Sequence, residues 1–252
     1  MIALTRPVPA SFTKALCAVA PNEPFDLSLA RRQHAAYCAA LAELGADVKL
    51  LPAADELADS CFVEDTAVVA AGVALITRPG AESRRAEPSA TAEALRGRYE
   101  LAIIEEPGTL DGGDCMRVGS TIYVGRSART NPAGIARLAG VFEARGLRVV
   151  ALDMPARVLH LKCVCAPLGD DRITLADDSI PRDAFGDLDV VRVPVDESYA
   201  ANVLCIGDRV LVADGFPRTR EALERAGLRV TPLDTTEFRK ADGALTCLSI
   251  LC

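Results

Sequence analysis

The sequence has few residues that bind metal ions in paired motifs. His34 and His160 are the only histidines in 252 residues, and no two of the nine cysteines are separated by two residues. Structural zinc sites need four Cys or His ligands, which usually occur as such closely spaced pairs. The sequence therefore predicts no structural zinc site and no metal centre.

Long apolar runs and an excess of basic charge are lacking as well. No apolar run approaches the roughly 20 residues that a membrane-spanning helix needs. Residues 1–7 lack the charged segment and the long apolar core of a signal peptide. A net charge of −7 and a pI near 5.0 disfavour nucleic acid as a partner, because duplex-binding proteins usually carry a basic face.

The cysteines also bear on the cellular compartment. Their number is odd, and most of them lie in apolar segments. Disulfide frameworks use even numbers of cysteines, so the pattern indicates reduced thiols. We therefore expect a cytoplasmic protein that binds no membrane. The sequence does not set the oligomeric state, and a homodimer is compatible with it.

A repeated unit is the main organising feature of the chain. Hydrophobic residues make up 50% of the sequence, which is enough for a sizeable core. The spacing of apolar residues predicts a helix over residues 26–44, which ends before a glycine and is followed by an extended run. The same order recurs at intervals of roughly 40 to 50 residues, the period of an array of supersecondary units. The glycines that precede an extended run are Gly45, Gly97, Gly146, Gly186 and Gly227.

Apolar hairpins recur between these glycines. Residues 66–70 and 73–77 form the first pair around a turn, and residues 115–118 and 121–124 form the second. We predict about five β-β-α-β units in a closed ring. The fifth is split: its hairpin either ends at the C-terminus or is completed by N-terminal strands around residues 2–4 and 16–19. Residues 1–252 would then form a single domain. The alternation of strands and helices alone would equally fit an open doubly wound sheet.

Two helix starts are marked in the sequence. Asn131 followed by Pro132 is typical of an N-cap and a first helical residue. Thr219 is the predicted N-cap of the helix that ends near Gly227. Both positions fall where the repeat requires a helix to begin.

Four polar loops occupy corresponding places in the repeat. They carry Asp65, Asp111, His160 and Cys247. Equivalent loops of stacked units lie on one face of the array, so we expect these side chains to meet near the ring axis. Cys247 alone, in an apolar run, is typical of a buried structural thiol. The four residues together predict one reaction centre.

A thiol beside an imidazole supports nucleophilic catalysis. A thiolate is a strong nucleophile once its pKa is lowered, and a histidine held by a carboxylate can donate a proton to a leaving group and then take one from water. Asp59, Glu64 and Asp65 would raise the pKa of Cys247, unless the substrate is a cation. A bound guanidinium meets this condition, because it favours the thiolate and pairs bidentately with carboxylate.

Two arginines provide the complementary charge. Arg84 and Arg129 end equivalent hairpins, so both can reach the rim of the pocket in which the four polar residues are expected to meet. Arginines at that rim suit a substrate carboxylate. A ligand with a cation at one end and a carboxylate at the other is an arginine-like amino acid.

Six short motifs follow one another along the chain. They are Phe62-Val63-Glu64-Asp65, ITRPGAESRR over residues 76–85, TLDGGD over residues 109–114, Ala128-Arg129-Thr130-Asn131, Leu159-His160-Leu161-Lys162 and Leu245-Thr246-Cys247. Together they resemble the dimethylarginine dimethylaminohydrolases. The resemblance implies an α/β pentein fold, a five-bladed α/β-propeller of pseudo-symmetric ββαβ units. It also implies hydrolysis of Nω-methylated arginines to citrulline plus methylamine or dimethylamine, without a cofactor.

The same resemblance implies a role for each candidate site residue. Cys247 attacks the guanidinium carbon, His160 protonates the departing amine, and an S-alkylthiouronium intermediate forms. His160 then activates the water that releases citrulline, while Asp111 orients the histidine and the guanidinium. The implied substrate-binding residues are Asp65 at the guanidinium, Arg84 and Arg129 at the carboxylate, Asp59 near the α-amino group and Leu16 on a lid loop. Glu64 either contacts the substrate or supports its loop.

Two other functions remain open. Arginine deiminases carry a second acid just after the histidine, where this chain has Lys162, and one carboxylate fewer leaves room for N-methyl groups. An arginine deiminase-like or other amidinohydrolase acting on an unmethylated guanidine is therefore the alternative within the same class. The alternative from another class is a non-catalytic pentein that acts as a binding module, although such relatives lack the cysteine, histidine and acid set.

Overall fold

Five three-stranded sheets make up the computed structural model, which describes residues 1–252. The strands are β1 (Ile2–Thr5), β2 (Asp47–Leu50), β3 (Ala67–Ala70), β4 (Val73–Ile76), β5 (Glu100–Ile103), β6 (Cys115–Val118), β7 (Thr121–Arg126), β8 (Arg148–Asp153), β9 (Cys165–Pro167), β10 (Arg172–Ala176), β11 (Asp189–Val193), β12 (Leu204–Ile206), β13 (Arg209–Ala213), β14 (Arg229–Leu233) and β15 (Ile250–Leu251). The α-helices are α1 (Leu27–Glu43), α2 (Pro88–Leu95), α3 (Pro132–Glu143), α4 (Pro217–Arg225) and α5 (Thr236–Lys240). None of these helices is both long enough and apolar enough to cross a membrane.

One repeated unit builds the sheets. β3 and β4 pair antiparallel, with Ala67 opposite Ile76, and β5 then joins β4 in parallel after α2. The same order recurs in β6, β7 and β8 around α3, and in β12, β13 and β14 around α4. This arrangement confirms the predicted α/β fold of five ββαβ-like units.

The third unit departs from the prediction because its connection is not an α-helix. β10 and β11 are joined through a short 3₁₀ helix, Arg182–Phe185. Pro181 precedes this segment, and Gly186 follows it with φ of 63°. A proline and a left-handed glycine thus bracket four residues, barely more than one turn of an α-helix.

The first sheet combines both ends of the chain. β15 lies antiparallel to β1, with Leu4 opposite Ile250, and β2 lies parallel to β1. We propose on this basis that residues 1–252 form one domain. The predicted strand over residues 16–19 is wrong, because these residues lie in an irregular loop after the 3₁₀ helix Ala10–Lys14. β1 already has a partner on each side, so it offers residues 16–19 no free edge to pair with.

The repeat glycines adopt a conformation that explains their regular recurrence. Gly45 follows α1 with φ of 93°, in the left-handed region that favours glycine. The other four repeat glycines, Gly97, Gly146, Gly186 and Gly227, also have positive φ. Each unit therefore has a glycine of positive φ shortly before its third strand.

The two predicted helix caps have different outcomes. Asn131 is confirmed, since its side chain accepts a hydrogen bond from the Gly134 amide at 2.9 Å at the start of α3. Thr219 is wrong, because α4 begins at Pro217. The amide and hydroxyl of Thr219 instead donate to Glu197 Oε2 at 2.7 Å each. A carboxylate from a distant segment thus satisfies the amide that a local cap would otherwise satisfy.

Aromatic packing connects the fold to the polar loops. The largest buried cluster has 17 residues and includes Phe12, Phe62 and Phe238. The ring centroids of Phe12 and Phe238 are 5.8 Å apart, and those of Phe62 and Phe238 are 6.2 Å apart. Phe62 lies three residues before Asp65, so this cluster fixes the position of the first polar loop.

Two glycines of α3 should respond oppositely to the same substitution. A Cβ at Gly134 would lie 2.0 Å from the carbonyl oxygen of Thr109, whereas a Cβ at Gly140 would have no neighbour within 4 Å. Gly134→Ala should lower the free energy of unfolding by about 1–3 kcal/mol, because the helix must move away from the Thr109 loop. Gly140→Ala should raise it by about 0.5–1 kcal/mol, because glycine is unfavourable inside a helix. Urea unfolding measures both changes, and equal values would contradict the close contact of helix and loop.

Candidate active site

A short 3₁₀ helix leads into one strand of every sheet. These segments are Val63–Thr66, Gly112–Asp114, Leu161–Cys163, Val195–Ala201 and Thr246–Leu248. Asp65 and Cys247 lie inside two of them, and Asp111 and His160 immediately precede two others. Equivalent turns of four units therefore carry the four polar residues.

Seven of the residues singled out from the sequence line one small cavity. They are Leu16, Asp59, Asp65, Arg84, Arg129, His160 and Cys247. The cavity encloses about 30 Å³. Asp111 is not among its lining residues, but its Oδ2 lies 3.1 Å from His160 Nε2. Asp242, which the sequence did not single out, also lines the cavity.

Glu64 lines a different cavity, although it is adjacent to Asp65. That cavity encloses about 440 Å³ and is also lined by Lys162 and Thr246. Glu64 Oε2 accepts a hydrogen bond from Thr246 Oγ1 at 2.8 Å, and Oε1 pairs with Lys162 Nζ. Burial raises the pKa of Glu64, against the opposing effect of Lys162. Glu64 therefore does not line the small cavity, although it contacts the residue before Cys247.

His160 is held among carboxylates. Its Nε2 lies 3.1 Å from Asp111 Oδ2, and its Nδ1 lies 3.9 Å from Asp65 Oδ1. Burial alone would lower its pKa, but the charge of Asp65, the hydrogen bond with Asp111 and the charge of Asp114 raise the pKa of His160 to about 9. The imidazole is therefore protonated at neutral pH and can act as a proton donor.

Cys247 is a neutral thiol at rest. Burial, followed by the charges of Glu64 and Asp65, raises its pKa well above the ordinary value. A cation bound beside Asp65 would offset this effect, because an opposite charge within a few ångströms favours the thiolate. The arrangement therefore fits a nucleophile that ionises when a cationic substrate binds.

Slow alkylation of Cys247 is expected at neutral pH. With the pKa of the thiol raised, the reactive thiolate appears only at higher pH. Iodoacetamide should label the Cys247 peptide far more slowly than free cysteine at pH 7, and the rate should rise steeply above pH 9. Peptide-level mass spectrometry measures this rate. Rapid labelling of Cys247 at pH 6 would contradict the neutral resting thiol.

The two arginines of the cavity differ in how many of their N–H donors already have hydrogen-bond partners. Arg84 Nη1 donates to Asp65 Oδ2 at 2.7 Å, and its Nε and Nη2 donate to the carboxylate of Glu87. Arg129 Nη1 lies 3.5 Å from Asp111 Oδ2, and the side chain is 20% exposed against 5% for Arg84. Arg129 therefore retains donors for a carboxylate, whereas Arg84 mainly holds Asp65 in place.

Asp65, Asp111 and His160 also form the group best placed to bind a metal ion. Each offers one ligand atom, and these atoms lie within 4.8 Å of one another. Arg84 and Arg129 already donate to the two carboxylates. Burial would raise the pKa of Asp65, but the charges of His160 and Arg84 lower it to about 2. Positive groups of the protein thus already balance these carboxylates.

Asn202 connects the histidine loop to the cysteine loop. Its Nδ2 donates to the Lys162 carbonyl at 2.8 Å, and its Oδ1 accepts from the Thr246 amide at 3.0 Å. The side chain is buried. It was not among the site residues predicted from the sequence. The available signal was its place directly after Val195–Ala201, the fourth of the five 3₁₀ segments, since the equivalent segments of the other units supply the site.

A family model and several known proteins match most of this chain. The model of the family described as "N,N dimethylarginine dimethylhydrolase, eukaryotic" matches residues 12–197. The N(G),N(G)-dimethylarginine dimethylaminohydrolase of Pseudomonas aeruginosa is 41% identical over 229 residues, which are 89% of this chain and 89% of that protein. The chain belongs to the dimethylarginine dimethylaminohydrolase family. A member from Streptomyces coelicolor is 43% identical over 231 residues, 91% of this chain and 88% of that protein.

Solved structures of dimethylarginine dimethylaminohydrolases share the fold. The Pseudomonas aeruginosa enzyme, as a cysteine-to-serine mutant complexed with citrulline, has a TM-score of 0.93 at 38% identity, covering 98% of this chain and 97% of that one. A dimethylarginine dimethylaminohydrolase adduct with S-methyl-L-thiocitrulline has a TM-score of 0.94 at 37% identity, covering 98% of each chain. The N-terminal domain of ArgZ, an arginine dihydrolase, has a TM-score of 0.87 at 18% identity over 98% of this chain and 96% of that one, and shares the fold alone. These likenesses confirm the α/β pentein fold and identify the chain as a hydrolase.

Proposed function

We propose that this chain hydrolyses Nω,Nω-dimethyl-L-arginine and Nω-monomethyl-L-arginine to L-citrulline plus dimethylamine or methylamine. The observation that carries the proposal is the cavity that brings Cys247, His160, Asp65 and Arg129 together. These side chains offer a nucleophile, a protonated acid, a carboxylate for a guanidinium and a guanidinium for a carboxylate. The names of the relatives above support the same substrate class.

In this proposal, substrate binding prepares the nucleophile. The substrate guanidinium pairs with Asp65, and its positive charge offsets the carboxylates that raise the pKa of Cys247. The thiol proton then leaves to solvent. Arg129 binds the substrate carboxylate with its free donors, and Asp59 receives the α-amino group. Arg84 acts through Asp65, whose Oδ2 it holds at 2.7 Å.

The first chemical step breaks the bond between carbon and the methylated nitrogen. The Cys247 thiolate attacks the guanidinium carbon and forms a C–S bond. His160, protonated because its pKa is raised to about 9, transfers its proton to the methylated nitrogen, which leaves as the free amine. An S-alkylthiouronium remains on Cys247, and His160 is left neutral. Asp111, hydrogen-bonded to Nε2, keeps the ring oriented throughout.

The second step consumes one water molecule. Neutral His160 takes a proton from water as the oxygen attacks the thiouronium carbon. Collapse of the resulting intermediate breaks the C–S bond, because the thiolate is the better leaving group. The hydroxyl proton of the new urea group passes to the departing thiolate, so citrulline leaves, the neutral Cys247 thiol is restored and His160 is again protonated. The steps need only groups of this chain and water.

Lys162 supports a methylated substrate over free arginine. It pairs with Glu64, and both lie outside the small cavity. The carboxylate of Glu64 is therefore already engaged by Lys162 and does not act as a second acid at the terminal guanidinium nitrogens. We propose that Glu64 supports the site from behind. With one carboxylate fewer beside those nitrogens than the arginine deiminases have, the site has room for methyl groups.

Product analysis tests the proposal. The enzyme is incubated separately with dimethylarginine, monomethylarginine and arginine, and citrulline and the released amine are both quantified. We expect citrulline and dimethylamine in equal amounts from dimethylarginine, and far slower release of ammonia from arginine. Ready ammonia release from arginine without dimethylamine from the methylated compound would instead establish the deiminase alternative.

A further inference from the structure

The fourth unit contributes no side chain to the small cavity. The 3₁₀ segments of the other four units contain or directly follow Asp65, Asp111, His160 and Cys247. The corresponding segment of the fourth unit is Val195–Ala201, and the residue that follows it is Asn202. Asn202 thus stands, in its own unit, near the place that a reacting or orienting group occupies in the others.

The side-chain amide of Asn202 has partners for both of its N–H donors and for its oxygen. Nδ2 donates to the Lys162 carbonyl at 2.8 Å and to Thr246 Oγ1 at 3.0 Å, and Oδ1 accepts from the Thr246 amide at 3.0 Å. A carbonyl oxygen can only accept and a backbone amide can only donate, so these partners fix which end of the Asn202 amide faces which residue. The side chain is 2% exposed, so water does not compete for these groups.

Glu64 connects the same two residues a second time. Its Oε2 accepts from Thr246 Oγ1 at 2.8 Å, and its Oε1 pairs with Lys162 Nζ. Asn202 therefore joins Thr246 to Lys162 through the lysine carbonyl, and Glu64 joins them through the lysine ammonium. Together the four residues form a closed ring of hydrogen bonds.

The ring ties together the two turns that carry the acid and the nucleophile. We name residues 160–163 the histidine turn and residues 246–248 the cysteine turn. Lys162 lies two residues after His160, and Thr246 directly precedes Cys247. Because Asn202 binds main-chain groups of both turns, it constrains their backbones and not only their side chains.

We propose that Asn202 is a positioning residue that holds the cysteine turn against the histidine turn and so sets the geometry in which Cys247 attacks while His160 transfers its proton. The chemical consequence rests on the proposed function, whereas the fastening of the two turns does not. A displacement of about 1 Å between reacting groups can cost about 10²-fold in rate. Loss of the Asn202 amide should therefore act on turnover.

Two substitutions remove different parts of this link. Asn202→Ala removes all three hydrogen bonds. Asn202→Asp keeps the size of the side chain and an acceptor for the Thr246 amide, but a carboxylate has no donor for the Lys162 carbonyl. Because it preserves the packed volume, Asn202→Asp also tests the link if Asn202→Ala does not fold.

Gln33 provides the matched control. Its buried amide makes a similar pattern, since Nε2 donates to Thr236 Oγ1 at 2.8 Å and Oε1 accepts from the Glu237 amide at 3.1 Å. These bonds join α1 to α5, and Gln33 does not line the small cavity. Gln33→Ala therefore removes a comparable buried amide without touching either turn.

Steady-state kinetics with dimethylarginine and calorimetry with citrulline read the positioning. Asn202→Ala and Asn202→Asp should each lower kcat by about 10–100-fold. KM and the dissociation constant of citrulline should change much less, because Asn202 contacts neither Asp65 nor Arg129. Gln33→Ala should lose stability to urea as Asn202→Ala does, but should keep kcat near wild type.

Amide hydrogen exchange measured by NMR reads the fastening without substrate. Exchange of the Thr246 amide should accelerate roughly tenfold in Asn202→Ala, the effect of losing its acceptor. It should stay close to wild type in Asn202→Asp, which keeps that acceptor, and in Gln33→Ala. Circular dichroism shows that each variant is folded.

The outcomes separate this proposal from the proposed function. Wild-type kcat in both Asn202 variants, or an equal loss of kcat in Gln33→Ala, would overturn the positioning role. A raised KM at unchanged kcat would place Asn202 in substrate binding and overturn it as well. Unchanged exchange of the Thr246 amide in Asn202→Ala would overturn the fastening. If the wild-type protein released no amine from dimethylarginine but exchange still accelerated in Asn202→Ala, the proposed function would fail and the fastening would stand.

Discussion

Replacing Cys247 with serine is expected to abolish release of dimethylamine, lowering kcat by a factor on the order of 10⁴ or more. The hydroxyl occupies nearly the same volume as the thiol, so the cavity should still bind substrate. A serine hydroxyl, however, ionises far less readily than a thiol and has no adjacent base, because His160 is protonated with its pKa raised to about 9. Steady-state kinetics with dimethylarginine measures the loss, and calorimetry measures the retained binding.

Another cysteine provides the control for this substitution. Cys205 lies in β12, is half-buried, and does not line the small cavity. Burial raises the pKa of this thiol to about 11, so it resembles Cys247 in being a neutral thiol. Cys205→Ser should keep kcat near wild type. Wild-type turnover by Cys247→Ser would remove the cysteine from the chemistry.

Replacing His160 with glutamine should lower kcat by about 10²–10⁴-fold, the usual contribution of a positioned acid and base. The glutamine amide can still reach Asp111, which lies 3.1 Å from His160 Nε2, so the cavity should keep its shape. It can neither protonate the departing amine nor take a proton from water. We expect KM to change much less than kcat. Rapid-quench and steady-state measurements of citrulline give both values.

The other histidine provides the matched control. His34 lies in α1, and burial lowers its pKa to about 4, so it is neutral at physiological pH. His34→Gln should keep kcat near wild type in the folded fraction. An equal loss of kcat in both variants would show that His160 acts on the fold rather than on the reaction.

The stabilities of wild type and His160→Gln at different pH values test the protonation state of His160. Its folded pKa of about 9 exceeds the roughly 6.5 of an unfolded histidine. The protonated ring therefore stabilises the fold fully below about pH 6.5, and this contribution is lost as the pH rises through about 9. The difference in free energy of unfolding between wild type and His160→Gln should shrink between pH 6 and pH 10. A difference that stayed constant would contradict the raised pKa.

Local signals in the sequence accounted for much of the fold. The repeat glycines were recognisable because each must adopt a positive φ at the same point of its unit, as at Gly45 with φ of 93°. Asn131 was recognisable because its cap is local. Thr219 was misassigned because its amide bonds to Glu197, 22 residues away in the chain. Residues 16–19 were misassigned because only the sheet order shows that β1 has no free edge.

The sequence also predicted much of the candidate site. Equivalence of the units placed Asp65, Asp111, His160 and Cys247 in one region, and the structure brings them together. The sequence could not show that Glu64 lines a different cavity from its neighbour Asp65, because adjacent residues of a 3₁₀ turn face different directions. Nor could it find Asn202 and Asp242, whose hydrogen-bond partners are distant in the chain.

The central claim is that a covalent intermediate forms on one particular thiol during hydrolysis of a methylated arginine. Acid quenching during turnover of dimethylarginine, followed by peptide mass spectrometry, tests it most directly. We predict a mass increase on the peptide that contains Cys247, equal to dimethylarginine minus dimethylamine. The increase should be absent from Cys247→Ser and should accumulate in His160→Gln if release of the intermediate is slowed more than its formation. Turnover without any adduct on Cys247 in wild type or His160→Gln, or an adduct on another cysteine, would contradict the claim.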